Sequence, residues 1–165
     1  MTSGLRVNPV SALWRAPTIP SRSLNREHGW KLLLVEDDAD SAEAVVALLS
    51  LHGIPTLWAN SGGAAMQTLD SLQRLGECRP AFVLLDVNIP NTDTVKLGRE
   101  LQAHPLGCPV VLISAASPQV LEQRAAEIGA VASLRKPFSM ERLLEILHEQ
   151  GLEDSGVNPR GEARR

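Results

Sequence analysis

The stretch Ala81-Phe82-Val83-Leu84-Leu85-Asp86-Val87-Asn88-Ile89-Pro90-Asn91-Thr92-Asp93 decides how this chain is read. Small and apolar residues run without a break from Ala81 into a carboxylate, Asp86, and the chain then turns through Asn88, Pro90 and Asn91. A short unbroken apolar run is the pattern of a strand buried on both faces, and the proline and asparagines end it in a loop. Asp86 is therefore expected at the carboxyl end of a central strand, the edge where open α/β sheets place their ligands.

Working outward, the same texture recurs. Lys31 to Val35 is a second apolar run and ends in Glu36, Asp37 and Asp38. Ala42, Val45, Val46 and Leu49 then follow at helical spacing, with Gly53 as the stop. Thr56 to Ala59 reads as a short strand, and Ser61 as the cap of a helix carrying Ala65, Leu69 and Leu72 inward. After Asp86, either Thr92 or Asp93 can cap a helix running to about His104, closed by Pro105 and Gly107. Pro109 to Ile113 is the fourth strand and leads into Ser114. Ser117-Pro118 starts a helix with Leu121, Ala125 and Ile128 on its inner face, and Gly129 ends it. Val131 to Arg135 is the fifth strand; Lys136-Pro137-Phe138 follows, and Ser139 caps a last helix with Met140, Leu143, Leu144 and Leu147 at core spacing. Five strands alternating with five helices, with no hairpin turn, imply an α/β fold: a doubly wound, five-stranded parallel sheet in a three-layer sandwich.

Composition agrees with one domain. The chain has 165 residues, 44% of them hydrophobic, enough for a single core. No apolar run reaches the length of a membrane span, and a formal net charge of −3 offers no general attraction to nucleic acid or anionic lipid. Residues 1–29, rich in proline, serine and arginine, read as a disordered arm, residues 30–150 as the domain, and residues 151–165 as a flexible tail. Cys78 and Cys108 lack a zinc-site spacing; two buried, reduced thiols are the first reading, and a neighbouring thiol pair the second. The four histidines have no paired spacing, and solvated helix ends account for most of them.

In a parallel sheet all strand-to-helix loops share one edge. That edge receives Glu36 and Asp37, Asp86, Ser114 and Lys136. Crowded carboxylates need a divalent cation or a lysine to compensate them, and carboxylate oxygens without histidine or cysteine favour Mg2+. Lys136 suits a phosphoryl oxygen, Ser114 can donate to another, and Asp86, in the middle, is placed as a nucleophile that would form an aspartyl phosphate.

The set E-D-D, D-V-N-I-P, S-A and K-P-F at successive strand ends resembles the receiver domain of bacterial two-component response regulators, over about residues 31–150. The resemblance implies the flavodoxin-like strand order 2-1-3-4-5, with Asp86 as phospho-acceptor and Glu36 and Asp37 as the acidic pair around Mg2+. It further implies that the main-chain carbonyl of Asn88 completes the metal shell, that Ser114 is the switch hydroxyl, and that Lys136 is the site lysine with a cis bond to Pro137. The partner it implies is a sensor histidine kinase or a histidine phosphotransfer protein; with no DNA-binding output domain expected in this chain, the downstream target would be a protein met by contact. Residues 117–150 are then the partner face, through which the chain would be a monomer or weak dimer. A cytoplasmic location follows from the same resemblance. One departure stands out: receivers usually carry an aromatic residue three positions before the lysine, where this chain has Ser133, and there is no tyrosine anywhere. A phosphorylation-independent scaffold is the alternative this departure raises. A magnesium phosphatase would need a second acid near Asp86, where Asn88 stands instead.

Overall fold

The computed structural model describes residues 31–151. The expected arm, residues 1–29, and residues 152–165 of the expected tail lie outside them. Within them are β1 (Leu32–Val35), α1 (Ala39–Leu51), β2 (Thr56–Ala59), α2 (Gly62–Leu75) and β3 (Phe82–Asp86), followed by α3 (Thr94–Ala103), β4 (Val110–Ser114), α4 (Pro118–Ile128), β5 (Ala132–Arg135) and α5 (Met140–Glu149). All strands are parallel, in the order β2-β1-β3-β4-β5.

Side chains alternate across a strand, so each apolar run supplies two cores at once. Leu33, Val35, Val83, Leu85, Val110 and Leu112 face one layer with Leu69, Leu97, Leu121 and Ile128 from α2, α3 and α4. Leu32, Leu34, Phe82, Leu84, Val111 and Ile113 face the other, against Ala42 and Leu49 of α1 and Leu143, Ile146 and Leu147 of α5. Leu84 and Leu112 are wholly buried, each contributing about 2 kcal/mol relative to exposure. On α5 the third core position is Ile146; Met140 and Leu144, expected inside, are only partly buried.

Every helix begins in the same way. Asp38, Ser61, Asp93, Ser117 and Ser139 each accept, through the side chain, the backbone N–H three residues on. Each such cap is worth about 1 kcal/mol. Asp93, not Thr92, caps α3. Gly107 is needed for a different reason: a Cβ there would sit 2.2 Å from the Gln102 carbonyl oxygen.

Two further features differ from expectation. Cys78 is exposed, and only Cys108 is buried, its thiol donating to the Leu106 carbonyl at 3.0 Å. Cys78 precedes β3 on a loop that the core does not cover. Burial pushes the Cys108 thiol up to about 11, against the opposing pull of Arg79. Iodoacetamide at pH 8 is therefore expected to add one group to the native chain, at Cys78, and two after denaturation. Equal native rates at both cysteines, read by intact mass, would contradict this burial. His104 is the second difference, since it is buried where a solvated helix end was expected. Its Nδ1 accepts the Leu106 N–H at 3.0 Å, so Nε2 carries the proton and donates to Asp70 Oδ1 at 2.8 Å, joining α2 to the end of α3.

Candidate functional site

Register alone brings the acids together. Val35 pairs with Leu85, so Glu36 and Asp86 leave the sheet side by side, one residue beyond the pair. Asp86 pairs with Ile113 and Ser114 with Arg135, so Ser114 and Lys136 follow on the next two strand ends. The amide N–H of Lys136 donates to the Ser114 carbonyl at 2.8 Å, which fixes where the lysine side chain starts. The Lys136–Pro137 bond is cis, as the resemblance implied.

Lys136 Nζ donates to Glu36 Oε2 at 2.6 Å and to Asp86 Oδ2 at 2.7 Å. The two carboxylate side chains are 5% and 6% exposed and the lysine 26%, so this bridge works in a largely water-excluded place. Glu36 Oε1 accepts from the Asp38 N–H, and Asp86 Oδ1 from the Asn88 N–H at 2.8 Å. Burial holds the Glu36 carboxyl above its ordinary range; the Lys136 bond opposes this and the nearby Asp86 adds to it. Burial disfavours the Lys136 ammonium, but its bonds to Asp86 and then Glu36 outweigh that and raise its pKa.

Asp37 is exposed, yet its carboxylate lies with those of Glu36 and Asp86 in a group whose ligand oxygens are all within 4.8 Å of one another. Asp38, the third acid of the run, faces elsewhere. It caps α1, and the Ser41 side chain and backbone hold its carboxyl below the usual range. The donor set is thus oxygen only, with two buried acids and one reaching solvent, which fits a hard divalent cation that keeps part of its water shell.

Ser114 is wholly buried and accepts from the Ala116 N–H at 3.0 Å and from the Asn88 side-chain amide at 3.4 Å. Its hydroxyl belongs to the same edge, tied to Asn88 and not to the lysine bridge. Asn88 itself is exposed. Ser133 is half-buried on β5, opposite Leu112. A cavity of about 400 Å3 adjoins the bridge, between Ser41 and Val45 of α1 and the turn Pro137-Phe138, with Glu36 and Lys136 in its wall. One contact had no signal in the sequence: the Trp58 indole N–H donates to the main-chain carbonyl of Glu36 at 2.8 Å.

The chain has relatives among known proteins. The model of the response regulator receiver domain matches residues 32–148. The probable C4-dicarboxylate response regulator DctR of Bacillus subtilis is 29% identical over 120 residues, covering 73% of this chain and 51% of that protein. The DNA-binding response regulator MtrA of Mycobacterium leprae is 32% identical over 114 residues, covering 69% of this chain and 48% of that protein. The chain spans about half the length of these two relatives. A response regulator receiver protein from Burkholderia phymatum superposes with a TM-score of 0.62 at 28% identity, covering 74% of this chain and 96% of that one. With the 2-1-3-4-5 sheet, an acidic edge closed by one lysine, and a family match running from the first residue of β1 into α5, this chain belongs to the response regulator receiver domain family of two-component systems.

Proposed function

We propose that this chain is a phosphoryl-accepting signalling module in which Asp86 takes a phosphoryl group from a phosphohistidine of a sensor histidine kinase or histidine phosphotransfer protein. Receiver domains as a family accept phosphoryl groups from histidine kinases and bind Mg2+ at an acidic pocket. The observation that carries the reading for these residues is the lysine bridge. A single ammonium, 2.6 Å and 2.7 Å from two buried carboxylates, is already held where charge must be neutralised.

An oxygen of Asp86 attacks phosphorus and forms the new O–P bond. The P–N bond to the donor imidazole breaks, its electron pair returns to the ring nitrogen, and that nitrogen takes up a proton from solvent. Asn88, by donating its N–H to Asp86 Oδ1, holds the carboxylate in plane for the attack. Lys136 moves one of its donors onto a phosphoryl oxygen. Ser114 accepts both of its bonds, which leaves its own proton for another phosphoryl oxygen. The carboxylates of Glu36, Asp37 and Asp86 and the main-chain carbonyl of Asn88 would hold Mg2+, which supplies charge neutralisation at the phosphoryl oxygens.

In this reading residues 30–150 are the receiver, in the cytoplasm; among the described residues no helix is long and apolar enough to cross a membrane. The signal leaves through protein contact on residues 117–150, by a chain that is a monomer or weak dimer. The half-buried Ser133 removes a ring-coupled switch and favours, as the second reading, a scaffold that does not use phosphorylation.

Acetyl phosphate with Mg2+ is expected to add one phosphoryl group to the full chain, read by intact mass, and none when EDTA replaces the metal. Labelling that ignores the metal, or that runs to several groups, would sink the proposal. Mg2+ binding with no labelling would favour the scaffold.

A further inference from the structure

In a parallel ladder the strand ends leave carbonyls without partners. β1 stops at Val35; the Glu36 N–H still finds the Ala59 carbonyl at 3.1 Å, the last rung toward β2. The next rung would take a backbone N–H of β2 to the Glu36 carbonyl, but the chain turns away at Asn60 and Ser61, where Ser61 becomes the cap of α2. The indole N–H of Trp58 fills that place at 2.8 Å.

The carbonyl so held belongs to the peptide group that joins Glu36 to Asp37. Two of the three acids offered to a cation, Glu36 and Asp37, therefore hang from one peptide plane. Three bonds converge on this turn: Ala59 on the Glu36 amide, Trp58 on its carbonyl, and the Asp38 amide on its carboxylate. The first is a backbone rung between β1 and β2, and the third is a turn contact of the Glu36 carboxylate itself. Only the second is made by a side chain from another strand, half-buried beside α1, and a substitution can delete it without touching the acids.

We propose that Trp58 is a positioning residue for the metal pair, its indole N–H setting the peptide plane from which Glu36 and Asp37 reach the cation. The inference rests on the phosphoryl-acceptor reading above. Residues that orient ligands from outside the first coordination shell typically change metal affinity by about ten- to a hundredfold when they are lost. Deleting this one donor is expected to raise the Mg2+ dissociation constant by about tenfold. Leu34, Ala42 and Phe82 keep their packing, so the fold survives.

The test uses the full chain in three forms: native, Trp58→Phe, and a form with benzothienylalanine at position 58, which keeps the ring shape and replaces only the N–H by sulfur. Mg2+ affinity is measured by calorimetry, and backbone amide shifts are recorded without metal. The expected result is an Mg2+ affinity about tenfold weaker in both variants and displaced Asp37 and Asp38 amide signals before any metal is added, with unfolding midpoints close to native for the sulfur isostere. If Trp58→Phe fails to fold, the isostere carries the test. Native affinity in the isostere overturns the inference, because a purely structural ring would be satisfied by it. Native protein that binds Mg2+ and is labelled on Asp86, beside variants of equal affinity, overturns this inference alone. Native protein that binds no Mg2+ overturns the reading beneath it.

Discussion

Asp86→Asn is expected to reduce labelling by acetyl phosphate and Mg2+ to background while leaving the fold intact. Asparagine matches aspartate in shape, and its side-chain oxygen can still accept the Asn88 N–H that Oδ1 now accepts at 2.8 Å. Its amide nitrogen faces Lys136 in place of Oδ2 and cannot accept from an ammonium, so the lysine is left with Glu36 alone. Two effects then oppose each other. One salt bridge is lost, and the repulsion between two buried carboxylates is lost with it, so the change in unfolding free energy is expected to stay within about 1.5 kcal/mol. The chemistry has no such compensation, because the amide's nitrogen lone pair is delocalised into its carbonyl and its neutral oxygen is too weak a nucleophile to attack phosphorus. The measurement is intact mass after incubation, beside thermal unfolding of the same sample. A variant that still takes up one phosphoryl group would move the acceptor to another carboxylate, with Glu36 and Asp37 the nearest candidates.

Much of this site could be read from the chain because its groups stand at strand ends, where the sequence pattern is strongest. An apolar run that stops at an acid places that acid at the sheet edge, and this holds for Val35-Glu36 and Leu85-Asp86 alike. Helix starts were as plain, since a serine or aspartate ahead of an apolar period has one common use. Ser61, Ser117 and Ser139 serve it as expected; Asp38 serves it too, a use the sequence left unmarked and one that separates it from the two acids before it.

What could not be read depends on contacts between segments far apart. Trp58 and Glu36 are 22 residues apart, and His104 and Asp70 are 34 apart. A strand pattern gives the face of a tryptophan but not which carbonyl its N–H meets. The sequence offers the lysine both as a counter-charge to the acids and as a partner for phosphate; that its ammonium bonds Glu36 and Asp86 together follows from a register that no single segment encodes. Cys78 shows the opposite limit. An apolar strand just downstream suggested burial, but the preceding loop follows the surface and carries the thiol with it.

Lys136→Met should cost the chain about 2 to 4 kcal/mol at pH 7 in EDTA, and should change how its stability responds to pH. The substitution keeps most of the stem and removes the one cation between two carboxylates that are 5% and 6% exposed. Breaking a buried pair from one side leaves an uncompensated charge, typically a loss of 3 to 5 kcal/mol, and the lysine's 26% exposure lowers the figure here. The sign with pH follows from Glu36. Its folded pKa already stands above 4.5 because of burial, even with the opposing lysine bond, and losing that bond raises it further. A group whose pKa is raised on folding contributes fully below its unfolded value and loses that contribution as pH climbs through the folded one. The variant is therefore expected to be most stable in mild acid and to weaken from about pH 4.5 upward, more steeply than the native chain. Lys136, itself raised, keeps its own contribution in the native chain at every pH below the ordinary lysine range. Saturating Mg2+ should return part of the lost stability at pH 7, since the cation replaces the missing positive charge and binds only the folded acids. Urea unfolding across pH 4 to 8, with EDTA and with Mg2+, reads both effects. A variant as stable as the native chain at pH 7 without metal, or one that gains stability as pH rises, would show that the bridge does not hold these acids in their charged form.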